Sequence, residues 1–342
     1  MTQMIRWGVL GCAGIAIKAV IPAIQSSRSG RVAAIASRDL KRAEETAAAF
    51  GIAKAYGNYE SLLADAEIDA IYNPLPNHLH VPLTIKALEQ GKPVLCEKPI
   101  ALSAGEAMKL AAAQKAANLP VAEAFMVRHH PQWKKARTLV AEGRIGEARV
   151  IQTIFSYYLD DPRNVRNQAD IGGGGLFDVG CYAVNTARYL FDAEPLRAIA
   201  LMERDPAFGT DRLASGLLEF PEGRQLVFTC STQLARTQKV TVLGARGRLE
   251  IPIPFNAAAD EPTVLILDDG RDLAGGGREE IAIAPVDPYR EQADAFAEAV
   301  LSGKPLETGL DDAIANMKAI EALFRSAVTG RWEEPDPFHS PA

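Results

Sequence analysis

Three side chains stand out for the chemistry they could do together. The stretch "VLCEKPIAL" (94–102) begins as an apolar strand, Val94-Leu95-Cys96, and stops abruptly on Glu97, Lys98 and Pro99. In "GGGGLFDVGCY" (172–182), Asp178 stands four residues before Tyr182, so on a helix the two share a face. The glycines ahead of them let the backbone pass close to something. A tyrosine titrates near ~10 and is a poor base at neutral pH. A cation against its phenolate would lower that value, and Lys98 is the available cation. Lys98 and Tyr182 therefore form a candidate acid–base pair, with Asp178 orienting Lys98 and accepting from substrate hydroxyls. The plainer alternatives are a solvated loop charge for Lys98, a helix-dipole partner for Asp178 and a half-buried packing residue for Tyr182.

Positioning these groups needs a frame. The first third alternates short apolar runs with helical patterns: strands at 5–11, 30–38, 68–75, 92–99 and 120–126, helices at 17–27, 40–51, 81–91 and 103–119. Near-continuous apolar strands separated by helices indicate a doubly wound parallel sheet covered on both faces. Lys98 then lies at a strand carboxyl end, where such sheets bind ligands. After Arg128 the strands alternate instead, at 147–159, 214–221, 224–233, 239–252, 263–270 and 279–285, which suggests an antiparallel sheet backed by helices on one face. At 342 residues the chain exceeds what one core usually supports. The fold expected is α/β: an N-terminal doubly wound domain (1–127) and a C-terminal α+β domain (128–342) with a large, mostly antiparallel open sheet, its last helix packing back on the first domain.

The turn after the first strand, "GVLGCAGIA", supplies Gly11, Cys12, Ala13, Gly14 and Ile15 between a strand and a helix. Glycines there make a tight turn and let backbone N–H groups and a helix N-terminus approach a pyrophosphate. The match to G-x-G-x-x-G is degenerate, with Ala13 in the second glycine's place, but the context fits a dinucleotide. The second strand ends in Ser37-Arg38, with Lys41 one turn on, where NAD-binding domains usually carry a carboxylate. A hydroxyl and a guanidinium suit a 2′-phosphate, so NADP is expected ahead of NAD. Asp39 reads as the N-cap of the next helix.

Together these motifs resemble the glucose–fructose oxidoreductase / inositol dehydrogenase / rhizopine-catabolism (Gfo/Idh/MocA) oxidoreductase family. The likeness runs over nearly the whole length: the nucleotide loop, "NPLPNHLH" (73–80), "EKPIAL" (97–102), "GGGGLFDVGCY" (172–182) and the closing helix "NMKAIEALFRSAVTGR" (316–331). It implies a Rossmann domain, an open-sheet domain often used for a homodimer or homotetramer, and a nicotinamide cofactor. It implies cofactor contacts at Pro74, Leu75, Asn77, His80, Glu97 and Lys98, and substrate contacts at Lys98, Asp178 and Tyr182. It makes Lys98 the catalytic lysine and allows a cis Lys98–Pro99 bond. Arg166, in the polar loop "DDPRNVRNQ", is a further candidate sugar contact. Many relatives carry histidine at the end of D-x-x-x-H; Tyr182 there resembles the branch of NADP-linked D-xylose 1-dehydrogenase and dimeric dihydrodiol dehydrogenase.

The expected activity is NADP-dependent oxidation of an aldose such as D-xylose or D-glucose at the anomeric carbon to a lactone. Alternatives are a dihydrodiol dehydrogenase acting on a cyclic diol, an oxidoreductase that retains NADP between two sugars, a sugar hydrolase or dehydratase cycling bound NAD, and a noncatalytic cofactor-sensing regulator. The presence of Lys98 speaks against the regulator, and Ser37-Arg38 against the NAD-cycling enzyme.

Bulk properties close off other classes. Charged residues make up 23% and the net charge is −6, with Lys and Arg scattered, which excludes a nucleic-acid or membrane-binding basic face. Four well-separated cysteines and five histidines show no metal spacing and no disulfide framework. The opening residues resemble a short signal peptide, but the nucleotide loop explains their glycines better, so a cytoplasmic protein is expected. No apolar run reaches the roughly 18 residues of a membrane span.

Overall fold

The apolar runs of the first 126 residues pair as a parallel sheet in the computed structural model, which describes residues 4–335. Its strands are β1 (Ile5–Leu10), β2 (Gly30–Ala36), β3 (Lys54–Tyr56), β4 (Ala70–Asn73), β5 (Val94–Cys96) and β6 (Val121–Glu123), in the order β3-β2-β1-β4-β5-β6. β4, β5 and β6 are buried along their whole length, as a sheet covered on both faces requires. Strand order reverses between β1 and β4, so their carboxyl ends, Gly11 and Pro74-Leu75, flank a topological switch point.

The connections are α1 (Ile21–Gln25), α2 (Leu40–Phe50), α3 (Tyr59–Leu63), α4 (His80–Glu89) and α5 (Ala104–Ala117). Ahead of α1 the chain makes a π turn, Ala16–Val20, with the Ile21 N–H reaching Ala16 O. Pro22 has no N–H to continue an ordinary ladder, and a widened turn just before it accommodates that loss. The short β3 and α3 went unread in the sequence, because three strand residues at a sheet edge carry almost no periodicity.

The second sheet is eight-stranded among the described residues: β7 (Ala148–Tyr158), β8 (Arg197–Arg204), β9 (Asp211–Glu219), β10 (Gln225–Ser231), β11 (Gln233–Gly244), β12 (Arg248–Ile251), β13 (Thr263–Asp268) and β14 (Arg278–Ile283). The order is β14-β13-β12-β11-β7-β10-β9-β8, antiparallel except where β7 meets β10. The single strand expected at 239–252 is instead a hairpin, closed where Gly244 N–H donates to Gly247 O at 2.8 Å. Helices α6 (Pro131–Ala141) and α7 (Cys181–Phe191) pack on one face, α7 buried throughout. His130 caps α6, its ring accepting from Gln132 N at 3.1 Å. The other face alternates outward: Val227 is 41% and Leu201 80% exposed, while Leu226 and Phe228 are buried.

The two compact units do not divide at one point in the chain. One is built from residues up to Met126 together with Asp287–Ile314, the other from Val127–Val286 and from Ala315 onward. The expected second domain, 128–342, therefore gives up the segment that carries α8 (Pro288–Ser302). The reason is packing: Phe296 meets Trp7 with ring centroids 5.4 Å apart, and Ala293 and Ala297 join the same buried core. Asp294 also accepts from the N–H groups of Arg28 and Ser29 at 3.2 and 3.1 Å. The last helix, α9 (Leu310–Thr329), belongs to the second unit from residue 315 on, where Phe324 packs on Phe177 and Ser326 accepts from Ala200 N at 3.0 Å. The first residues of α9, Leu310–Ile314, fall in the first unit.

Candidate active site

In the first unit, the nucleotide loop leaves β1 at Gly11, whose φ of +86° favours glycine and whose N–H donates to Ala36 O at 2.7 Å. A Cβ there would lie 2.8 Å from the Leu75 side chain, so the turn lies directly against the end of β4. Gly14 is different. A Cβ on it would meet nothing within 4 Å, so the protein's own packing does not demand glycine there. A bare backbone at a helix start suits close approach by a pyrophosphate, and the loop therefore fits a dinucleotide. Cys12 is buried; its carbonyl accepts from the Arg42 guanidinium at 2.8 Å and its thiol faces Arg42 O. Ala13 and Ile15 are half-buried around it.

At the end of β2, Ser37 is nearly buried and its Oγ accepts from Asp39 N at 3.2 Å. Asp39 caps α2 as expected, accepting from Arg42 N at 3.3 Å. Arg38 is exposed and lies beside the Tyr59 phenol, whose pKa is raised, chiefly by burial. Lys41 points away toward Glu45, 3.9 Å distant and one turn on. Arg42, not Lys41, is thus the basic side chain of this helix start that touches the nucleotide loop. Arg42 and Tyr59 carried no sequence signal, since neither belongs to a recognisable spacing.

The Lys98 turn is held from three sides. Tyr72 donates to Glu97 at 2.8 Å, and burial, then Glu97 itself, keeps that phenol well above its ordinary pKa and therefore neutral. Buried His80 sets its Nδ1 2.7 Å from Pro99 O and its Nε2 2.7 Å from Leu75 O, with burial driving its pKa down to about 4. Glu123, at the end of β6, accepts from Ile100 N at 2.7 Å. The Lys98–Pro99 peptide is cis. Pro74 is buried and Asn77 half-buried in the segment that ends at His80. His80 is therefore a brace between two backbone segments, which fits helix entry and not catalysis.

In the second unit, the helical run from Leu176 through α7 carries Asp178 and Tyr182. Asp178 accepts from the Tyr157 hydroxyl, and its other oxygen pairs with Arg166 Nε at 2.9 Å. Burial, then the Asp178 charge, pushes the Tyr157 phenol up, so it serves as a donor. Tyr182 is 6% exposed, its ring packed on Phe155 and Phe255 at centroid distances of 5.8 and 5.3 Å. Arg163 stays at the surface with Asp161. Arg166 and Asp178 are thus brought together; Tyr157, the third member, sits 21 residues from Asp178 and was missed because strand alternation alone does not say where a tyrosine hydroxyl points.

The description "Oxidoreductase family, NAD-binding Rossmann fold" matches residues 5–125, and the "GFO/IDH/MocA C-terminal domain" matches residues 133–250. An uncharacterised oxidoreductase of Rhizobium meliloti is 46% identical over 97% of this chain and 99% of its own length. The chain belongs to the Gfo/Idh/MocA oxidoreductase family. This Gfo/Idh/MocA enzyme is also 40% identical to an NADP-linked D-xylose 1-dehydrogenase of Haloferax volcanii, over 96% of this chain and 99% of the relative. A solved variant of a 3-ketoreductase from Actinomadura kijaniata, in complex with TDP-benzene and NADP, superposes with a TM-score of 0.89 at 30% identity, covering 95% and 98% of the two chains. The Gfo/Idh/MocA enzyme is accordingly an NAD(P)-dependent oxidoreductase with a Rossmann nucleotide domain.

Proposed function

We propose that this enzyme oxidises an aldose of the D-xylose or D-glucose type at the anomeric carbon, giving a lactone, with NADP as acceptor. The observation that carries the reading is the Lys98 turn, a lysine presented at the end of β5 on a segment braced by Tyr72, His80 and Glu123. The similarity to a D-xylose 1-dehydrogenase supports an aldose. Bound nicotinamide would supply the hydride acceptor. Gly11 through Ile15 would hold its pyrophosphate, Ser37 and Arg38 a 2′-phosphate, and Pro74, Leu75, Asn77 and Glu97 the rest of the cofactor. Tyr182 takes the proton of the reacting hydroxyl, and Lys98 is the family's catalytic lysine, the cation supplied by the nucleotide unit. Asp178 and Arg166 bind neighbouring hydroxyls of the sugar. The outward face of the second sheet, with Ile199, Leu217 and Val227 in one cross-strand row, is the surface we assign to a homo-oligomer contact. Free thiols at all four cysteines agree with a reducing cytoplasm. No described helix is long and apolar enough to cross a membrane.

The test is turnover by the purified protein with NADP or NAD against a panel of aldoses, ketosugars and cyclic dihydrodiols, followed by nicotinamide absorbance. Aldose oxidation preferring NADP is expected. Turnover only with a dihydrodiol, or only by reduction of a ketosugar as the 3-ketoreductase likeness would favour, overturns the assignment.

A further inference from the structure

Asp211 opens β9 and is 1% exposed, yet it has no place in the chemistry above. Its surroundings show what it holds. One carboxylate oxygen accepts from Leu176 N at 2.6 Å, and Gly175 N–H is also directed at the group. Gly174 sits at φ +124°, and a Cβ on it would come within 2.0 Å of the other oxygen. The carboxylate therefore fills the place a side chain at 174 would take, and the chain wraps around it from Gly174 to Leu176. Two further bonds leave that turn: Gly174 N–H donates to Arg166 O at 2.9 Å, and Gly174 O accepts from Asp178 N at 3.1 Å. Both residues that meet at the Arg166–Asp178 ion pair thus hang from the turn that Asp211 grips. Farther along, a Cβ on Gly180 would lie 2.7 Å from the Leu176 side chain and 2.8 Å from Cys230 Sγ, so the helical run is seated tightly on β10.

We propose that Asp211 is a positioning residue, a buried carboxyl whose hydrogen bonds and close fit fix the Gly172–Gly175 turn and thereby the placement of Arg166, Asp178 and Tyr182. The inference rests on the reading of those three as substrate-facing groups. The titratable and charged groups around it do not take over the task. Arg204, its cross-strand partner on β8, is exposed and donates to Gly209 O at 2.9 Å. Cys230 on β10 is a buried thiol held neutral by burial, with Cys181 on α7 beside it. Asp178 is engaged by Tyr157 and Arg166.

Burial raises the Asp211 carboxyl to about 6 against the pull of its N–H donors. A folded-state value above the unfolded one means the protonated form is the more stable in the fold; that contribution is complete below the unfolded value and lost as pH rises to about 6. At neutral pH the charge is kept at a cost to stability, so its removal should cost position and not fold.

The experiment is Asp211→Asn with two readouts. Hydrogen exchange of the 172–182 segment at neutral pH needs no substrate. It should accelerate about tenfold or more in D211N, with first-unit segments and NADP affinity unchanged and Tm within about 3 °C of wild type. In wild type, protection of the same segment should rise as pH falls through about 6, after correction for intrinsic exchange, because release of the turn returns the carboxyl to its lower unfolded value; this keeps the test open if D211N does not fold. On the sugar that wild type oxidises, kcat of D211N should fall about 30- to 100-fold with KM within about threefold. Unchanged exchange in D211N and across pH, or a kcat within about threefold of wild type, overturns the proposal. If wild type oxidises no sugar, the functional reading fails, and the exchange measurements still decide whether Asp211 holds the turn.

Discussion

Tyr182 combines a ring that is packed like a core residue with a hydroxyl that the proposed chemistry needs. Because Phe155 and Phe255 hold the ring, Tyr182→Phe removes one oxygen and leaves the packing intact. Its kcat should fall about 10²- to 10⁴-fold while the melting temperature stays near that of wild type, measured by nicotinamide absorbance and thermal denaturation. Turnover within about tenfold of wild type would remove Tyr182 from the role of base. Lys98, Asp178 and Tyr182 could be picked out from sequence because each lies in a short local pattern. Tyr157 and Asp211 could not, since they reach Asp178 and Leu176 across 21 and 35 residues, and only the strand pairing decides which side chains arrive there.

At the scale of elements, the start of α2 separates two basic side chains that look equivalent in sequence. Asp39 sets the first turn, and the helix then directs Lys41 toward Glu45 and Arg42 toward Cys12 O. Arg38, ahead of the helix, stays at the carboxyl end of β2. Arg38→Ala should raise KM for NADP about tenfold or more and leave KM for NAD nearly unchanged, the loss of a charge-assisted phosphate contact. Lys41→Ala should change neither beyond about twofold, as surface pairs of this kind contribute little. Initial-rate kinetics with both cofactors would show it, and equal effects of the two substitutions would place the phosphate elsewhere. The long strands and helices were legible because burial repeats along them. β3, α3 and β8 were not: the first two are too short to repeat, and β8, an edge strand, runs apolar from Ala198 to Met202 with charges only at its ends, so it shows no alternation.

At the scale of the molecule, the nucleotide unit draws its core from both ends of a long excursion. Phe296 is 2% exposed against Trp7, itself fully buried. Phe296→Ala should destabilise the first unit by about 3–5 kcal/mol, read by urea unfolding and by a weakened retention of NADP. A fragment ending at Met126 should show exposed apolar surface to a hydrophobic dye, because α8 is missing from its core. A native-like fragment with cooperative unfolding would mean that α8 is dispensable. The sequence pattern suggested a boundary near residue 127 because the strand type changes there; it could not reveal the return of α8, whose apolar stripe reads the same whichever sheet it covers.

That return has a consequence for how the protein is made. Synthesis runs from the N-terminus, yet the domain that comes first cannot be finished first. When Met126 leaves the ribosome, Trp7 still lacks its aromatic partner, and it keeps lacking it while the strands through Ile283 are made. The whole second sheet is therefore synthesised while the nucleotide domain waits with part of its core open. For that interval the nascent chain offers chaperones an apolar surface around Trp7, and a pause in translation between residues 126 and 296 would prolong it.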